Sequence, residues 1–296
     1  MNLTVLYLQF GNNNSKNFDL MRNQLDRMED ISVNYVIVDN KSDSETHEAE
    51  EKISENAIKI FGDNVDREFS GWQKGLDYLK KSGKNFDAVL FTNEAFLNLD
   101  ENMIMSKNFA NFVRRSLKNN CVIGSLDSRG VRFELMGYDV SSWICTNAFL
   151  VPKNILNDFP PLVSVSSDQM KDFLNETYDE YEKNKEAGYF KKGSKINEDY
   201  KTMIVAYLTK MWHSKFEINR ETWSRFVAKA QAIFNEALLT AKLREKGICV
   251  EDFRSPLSKY IRDFKLAFAV LKRDGPLSFI KRLVSYLKGV RVPLKK

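Results

Sequence analysis

Along the first 125 residues, short apolar runs alternate with segments whose apolar positions recur at steps of three and four. The run LTVLYLQ (3–9) predicts a buried strand. After the polar stretch 11–15, Phe18, Met21, Leu25 and Met28 share one helical face. A β-branched run at 31–38 predicts a second strand, ending in Asp39 and Asn40. The charged segment 45–57 predicts a helix, and 58–61 a short strand. Trp72, Leu76 and Leu79 mark a helix over 70–81, and AVLFT (88–92) is a buried strand ending in Asn93 and Glu94. A helix through Phe109, Phe112, Val113 and Leu117 then precedes a strand at 121–124. Strands and helices alternating at this spacing predict an α/β fold with a doubly wound, mostly parallel sheet. In such sheets ligands sit beyond the carboxyl ends of the strands. Polar residues gather at those ends, at 12–15, 39–40, 62–70 and 93–94.

Beyond residue 125 the rhythm changes. SSWICTNAFLVPK (141–153) reads as a strand entering a short helix, 171–182 as a polar helix and 184–195 as a Gly/Lys-rich loop. Longer helices are expected over 200–212 and 222–246, the second with Phe226, Ala230, Ile233, Ala237 and Ala241 along one stripe.

A boundary is expected near 247–255, giving a domain over 1–250 and a helical C-terminal extension over 251–296. In the extension, Leu257, Tyr260, Ile261, Phe264, Phe268 and Leu271 fall at helical spacing. After Gly275 and Pro276, so do Leu277, Ile280, Leu283, Val284 and Leu287. The opposite faces carry Lys259, Arg262, Lys265, Lys272, Arg273, Lys281, Arg282 and Lys288. Residues 254–296 hold twelve Lys/Arg and only Asp263 and Asp274 as acids, so the whole-chain charge of +5 hides a net acidic body and a basic tail. Basic amphipathic helices lie on anionic membrane surfaces, each basic side chain adding about 1 kcal/mol near the surface. Docking on the body with a solvated basic face is the alternative. Aromatics interleave the basic residues, but no nucleic-acid-binding motif accompanies them, and no nucleic-acid partner is expected.

The composition, 43% hydrophobic and 29% charged over 296 residues, is that of a globular chain. Cys121, Cys145 and Cys249 are too scattered for a disulfide framework or a zinc cage; all three read as small buried hydrophobes in a reducing compartment. No apolar run reaches the roughly 18 residues of a membrane span, and the start lacks a signal-peptide pattern. The expected location is cytoplasmic, peripheral at the inner face of the plasma membrane. Neither a Walker loop nor GxGxxG follows the first strand. His47 and His213 are the two histidines, and neither is placed for a Ser/His/Asp triad.

What remains at the strand ends are carboxylates, amides and hydroxyls. That inventory suits sugar transfer from a nucleotide donor: a carboxylate takes the acceptor proton, and a metal, cation or helix N-terminus neutralises the departing diphosphate. The segment IVDNKSD (37–43) and the order of elements resemble the nucleotide-sugar glycosyltransferases of family 2, with the GT-A fold. The resemblance implies that Asp39 contacts the nucleotide base, with Asn40 and Ser42 beside it. GDNVDREFSGWQKGL (62–76) is similar to the family's loop and helix over the donor. REFSGW, FTNEAFL (91–97) and SSWICTNAFLVPK are similar to glycosyltransferases of capsule, O-antigen and rhamnose-rich polysaccharide synthesis. The likeness covers roughly residues 1–210.

The family's Asp-x-Asp metal site is replaced here by Thr92-Asn93-Glu94-Ala95. Glu94 with Asn93 could offer oxygen to Mg²⁺ or Mn²⁺, or Arg67 could serve in a metal's place. INEDY (196–200) supplies Glu198 and Asp199 where the family carries its catalytic Glu-Asp pair; their alternative role is to favour a helix N-terminus. Asp127 and Asp139 are rival bases. Trp143, Thr146 and Asn147 are expected acceptor or donor contacts. The long 162–195 segment departs from the compact family pattern. The resemblance implies a glycosyltransferase, inverting in type, acting on a lipid-linked or growing surface glycan at the membrane face. Truncation at about Glu251 is expected to abolish membrane adhesion. Another nucleotide-dependent transferase and a non-catalytic GT-A-like scaffold are the alternatives.

Overall fold

The apolar runs pair into one sheet because each is too hydrophobic to leave a face in water. The computed structural model describes residues 1–11, 15–41, 50–98, 102–128, 132–184, 188–211 and 214–254. Its strands are β1 (Asn2–Gln9), β2 (Ser32–Asp39), β3 (Glu51–Ser54), β4 (Ala57–Phe61), β5 (Ala88–Asn93) and β6 (Cys121–Ser128), then the ribbon β7 (Glu134–Leu135) and β8 (Tyr138–Asp139), then β9 (Ser142–Pro152) and β10 (Cys249–Asp252). Eight of them form a sheet in the order β10-β6-β9-β5-β1-β2-β4-β3. β1 lies parallel between β2 and β5, with Leu3 opposite Val33 and Ala88. β9 runs antiparallel between β5 and β6, and β3 antiparallel at the edge. The fold is therefore α/β with a mostly parallel sheet, consistent with a GT-A-like arrangement.

Alternation along β1 divides the core. Leu3, Val5 and Tyr7 pack with Phe18, Met21 and Leu25 of α1 (Ser15–Leu25) and with Phe109 and Val113 of α3 (Phe109–Asn119). Leu6 and Leu8 face α2 (Arg67–Ser82), through Trp72 and Leu76, and the end of α6 (Trp223–Glu245), through Leu239 and Leu243. Glycine permits the close approach of α2: a Cβ on Gly75 would stand 2.4 Å from Leu6 Cδ1. A third cluster joins α4 (Tyr178–Lys183), α5 (Glu198–Ala206) and the front of α6 to Phe133 and Leu135. α6 thus bridges the sheet and the C-terminal layer.

Several elements differ from expectation. Within the segment read as a charged helix, Glu51–Ser54 is the edge strand β3; its exposed side chains are solvated at a sheet edge, which a charge pattern does not distinguish from a helix face. Residues 42–49, with Ser42 and His47, lie outside the described residues. The expected helix over 171–182 breaks into a 3₁₀ turn (Asp168–Asp172) and α4, because Leu174 pairs with Phe190 and Thr177 starts a new helix by accepting from the Glu180 amide at 3.2 Å. α5 starts at Glu198 and continues as a π turn over Tyr207–Met211. Trp212 and His213 are outside the described residues.

The cysteine reading also needs correcting. Cys121 and Cys249 stand opposite each other in β6 and β10 and are joined as a disulfide, leaving Cys145 as a thiol. Parallel pairing brings together residues that the sequence separates by 128 positions. β10 occupies the expected boundary region. Phe253 packs into the core, and Arg254 is buried against Asp252, so the body runs through Arg254. The basic amphipathic segment from 255 onward lies outside the described residues. Among the described residues no helix is long and apolar enough to cross a membrane.

Candidate functional site

The carboxyl ends of β1, β2 and β5 meet the opening half of β9. Because β9 runs against its neighbours, its first residues lie where theirs end: Ala148 pairs with Thr92, so 142–147 project past β5. These ends, together with α2, α5 and α6, surround a cavity of about 970 Å³. Asn40, Arg67, Asn93 and Glu94 line it from the β2–β5 side. Asp127, Trp143, Thr146 and Asn147 line it from the β6–β9 side.

Asp39 is placed differently. It is 6% exposed and does not line the cavity. Its carboxylate accepts from the Gly11 amide at 3.0 Å and from Gln9 Nε2 at 3.3 Å, and pairs with Lys59 Nζ at 3.3 Å. Glu94 Oε2 accepts from the preceding amide, Phe10 N, at 3.5 Å. Asp39 and Glu94 thus engage consecutive amides at the end of β1. Glu198 and Asp199 occupy the exposed first turn of α5, with Glu198 held by Lys201 at 2.7 Å; neither lines the cavity, whereas the next residue, Tyr200, does. Asp139 accepts from the Ser141 amide at 2.9 Å and also does not line it.

The loop before α2 presents Arg67. Asn40 Nδ2 donates to the Arg67 carbonyl at 2.8 Å, and its Oδ1 accepts from Asn64 N at 3.0 Å. Gly62 leaves room for this brace: a Cβ there would stand 2.2 Å from Asn40 Oδ1. Asn64 and Arg67 both hold positive φ, 52° and 60°. For arginine this conformation costs about 1–2 kcal/mol, and such strain collects at ligand-contacting segments. Asp66 fixes the same loop from outside, accepting from Ser167 N at 2.6 Å and Gln231 Nε2 at 2.8 Å. No side chain among the described residues pairs with the exposed Arg67 guanidinium.

One cavity residue, Glu236 of α6, was not anticipated from the sequence. Its Oε1 accepts from Thr146 N at 2.8 Å and Thr146 Oγ1 at 3.0 Å. Burial pushes its carboxyl up to about 7; the two Thr146 bonds oppose the shift, and Glu68 and Asp127 add to it. Burial also raises the Cys145 thiol, assisted by Glu236 and Asp127, so these groups share one field. The sequence carried a signal: Glu236 flanks the apolar stripe read along this helix, three positions after Ile233 and directly before Ala237. A carboxylate on a core-facing stripe needs a partner or a task.

The residues present fit a divalent ion only in part. Among the described residues, the one group of three His, Cys, Asp or Glu side chains within mutual reach is Cys121, Cys249 and Glu251 at the sheet edge, and its two sulfurs are spent in the disulfide. Glu94 therefore offers a single carboxylate, which suits Mg²⁺ or Mn²⁺ shared with substrate phosphates more than a self-contained protein cage.

No family model matches the chain, and no curated protein matches it. Among solved structures, the mannosyltransferase PcManGT from Pyrobaculum calidifontis, in complex with GDP-Man and Mn²⁺, aligns over 96% of this chain and 86% of its own, at 12% identity and a TM-score of 0.37.

Proposed function

We propose that the protein is a glycosyltransferase that moves a sugar from a nucleotide-sugar donor to a hydroxyl of a lipid-linked or growing surface glycan, with inversion. One observation carries the reading: carboxylates, amides and a strained arginine that no side chain among the described residues pairs with share a single cavity at the carboxyl edge of a mostly parallel sheet. Arg67, Asn93 and Glu94 form the donor end, where Arg67 would meet the diphosphate. If Mg²⁺ or Mn²⁺ is used, Glu94 would hold it, and the ion would supply further neutralisation of phosphate charge. Asp39 and Asn40 act from behind, ordering the loops that receive the nucleotide.

The base is taken from the carboxylates inside the cavity, Glu236 with Asp127 beside it, rather than from Glu198 or Asp199. The acceptor hydroxyl would pass its proton to Glu236 as its oxygen bonds to the anomeric carbon. The bond from that carbon to the diphosphate would break, its electron pair leaving with the nucleotide. A carboxyl that titrates near neutrality is well matched to general-base work. Trp143 offers an aromatic face to a sugar ring. The tail from 255 onward would hold the enzyme at an anionic membrane where such acceptors reside.

Thermal stabilisation by UDP, GDP, dTDP or CMP, with and without Mn²⁺, tests the reading. A donor nucleotide raises the melting temperature by mass action. No shift with any of them would favour a non-catalytic scaffold.

A further inference from the structure

The edge of the sheet away from β3 holds a second reactive group. β10 pairs with β6 alone among the described residues, over Cys249–Asp252. The disulfide at its first residue is asymmetric: Cys249 is exposed, whereas Cys121 is 2% exposed and belongs to the core. The surroundings suit the opened pair as well as the closed one. The Asn119 carbonyl oxygen and Glu251 Oε1 stand 3.4 and 3.5 Å from Cys121 Sγ, and the same Glu251 oxygen is 3.8 Å from Cys249 Sγ. A disulfide sulfur has no hydrogen to give these acceptors; a thiol has one. Arg115 of α3 holds the strand independently of the bridge, its Nε 3.4 Å from Glu251 Oε2 and its Nη2 donating to the Asp252 carbonyl at 2.9 Å.

The other end of β10 reaches the cavity wall. Phe253 N donates to the Gly124 carbonyl at 2.9 Å, and Arg254 Nη2, paired with Asp252, donates to the Leu126 carbonyl. The next residue of β6 is Asp127, which lines the cavity.

We propose that Cys121–Cys249 is a thiol–disulfide exchange site for an external dithiol, and that its opening loosens the Asp127 wall of the cavity. One thiolate of the dithiol attacks Cys249 Sγ, the sulfur that solvent reaches. The Cys121–Cys249 bond breaks, and its electron pair passes to Cys121 Sγ, which takes a proton and donates to Asn119 or Glu251. The second thiolate attacks the reductant sulfur now joined to Cys249, closing a cyclic disulfide and releasing Cys249, which is protonated from water. The protein pair gains two electrons and two protons, and the dithiol loses them. Without the covalent link, this short edge strand frays from Cys249 toward Arg254. Each opening removes the contacts at Gly124 and Leu126 that support Asp127. The exchange and the loosening stand apart from the glycosyl-transfer reading; within it, reduction softens the base end of the cavity and spares the donor end.

Thiol labelling and hydrogen exchange of the full chain, before and after dithiothreitol without denaturant, test this. Dithiothreitol should open the bridge in the folded protein, and iodoacetamide should then label Cys249 at least tenfold faster than Cys121. Amides of 121–128 and 249–254 should exchange roughly tenfold faster after reduction, with β1 and β2 unchanged, and oxidised glutathione should restore their protection. Cys249→Ser should show the reduced pattern without reductant. Nucleotide affinity should change less than twofold on reduction. A bridge that opens only in denaturant, or unchanged exchange over 121–128 after reduction, would overturn the proposal. Faster exchange throughout the sheet would also overturn it, making the bridge a staple of the whole fold. If no nucleotide binds while the local exchange changes appear, the donor reading fails and the redox site stands.

Discussion

Glu236 receives both the amide and the hydroxyl of Thr146 on a single carboxylate oxygen, at 2.8 and 3.0 Å. Thr146 lies on β9, the strand that runs against its neighbours, and Glu236 on the helix packed across it. The pairing orients one oxygen and leaves the other as the group able to take a proton.

Glu236→Gln keeps the shape and the acceptor for Thr146 but cannot serve as a base. Turnover should fall by roughly 10²–10⁴-fold, with nucleotide affinity unchanged in a binding titration. Wild-type kcat should rise as pH increases through about 7, following ionisation of this carboxyl; the glutamine variant should lack that rise. Equal turnover in the two proteins would remove Glu236 from the chemistry.

Stability should carry the same signature. The Glu236 carboxyl titrates higher in the folded protein, at about 7, than the ordinary 4.5. The fold therefore favours its protonated form, an advantage complete below about pH 4.5 and lost as pH rises through 7. Glu236→Gln should match wild type in acid and exceed it by up to about 3 kcal/mol at pH 8, as read from denaturant unfolding at each pH.

Arg67 separates conformation from charge. Arg67→Gly removes a Cβ from a left-handed position but frees the unfolded chain, two effects of about 1 kcal/mol that oppose each other. The melting temperature should stay nearly constant. Nucleotide diphosphate affinity should fall by roughly 10–100-fold, the contribution of a charged hydrogen-bond donor. A large loss of stability with intact binding would make Arg67 structural.

The tail experiment must respect β10. A chain ending at Glu251 would lose part of that strand, Phe253 of the core and the buried Arg254. A chain ending at Arg254 should remain folded by circular dichroism and cease to sediment with anionic liposomes. Unchanged sedimentation would locate membrane affinity elsewhere.

The sheet was readable because its strands are continuous apolar runs and α1–α3 have clean periodicity; Leu3, Val36 and Leu90 could hardly be anything but core. The donor-side cavity residues were readable for a related reason: strand ends of a parallel sheet are adjacent, so Asn93, Glu94 and Asn40 had to be close. The far wall was harder. Glu236 comes from a helix some 90 residues beyond its partner Thr146, and no periodicity reports which residue of a long helix meets a strand. The exposed Glu198 and Asp199 have the sequence context of a catalytic pair, yet the turn that starts α5 sends them outward while Tyr200 points in. The β3 edge and the break at Leu174 depend on pairing with distant segments, which local pattern cannot supply.

The link between Cys121 and Cys249 encloses β7 to β9 and all of α4 to α6 within one covalent ring. A protease nick in any loop of that ring would leave both fragments tethered. On a gel the cut protein would run as a single chain until a thiol reductant released two pieces.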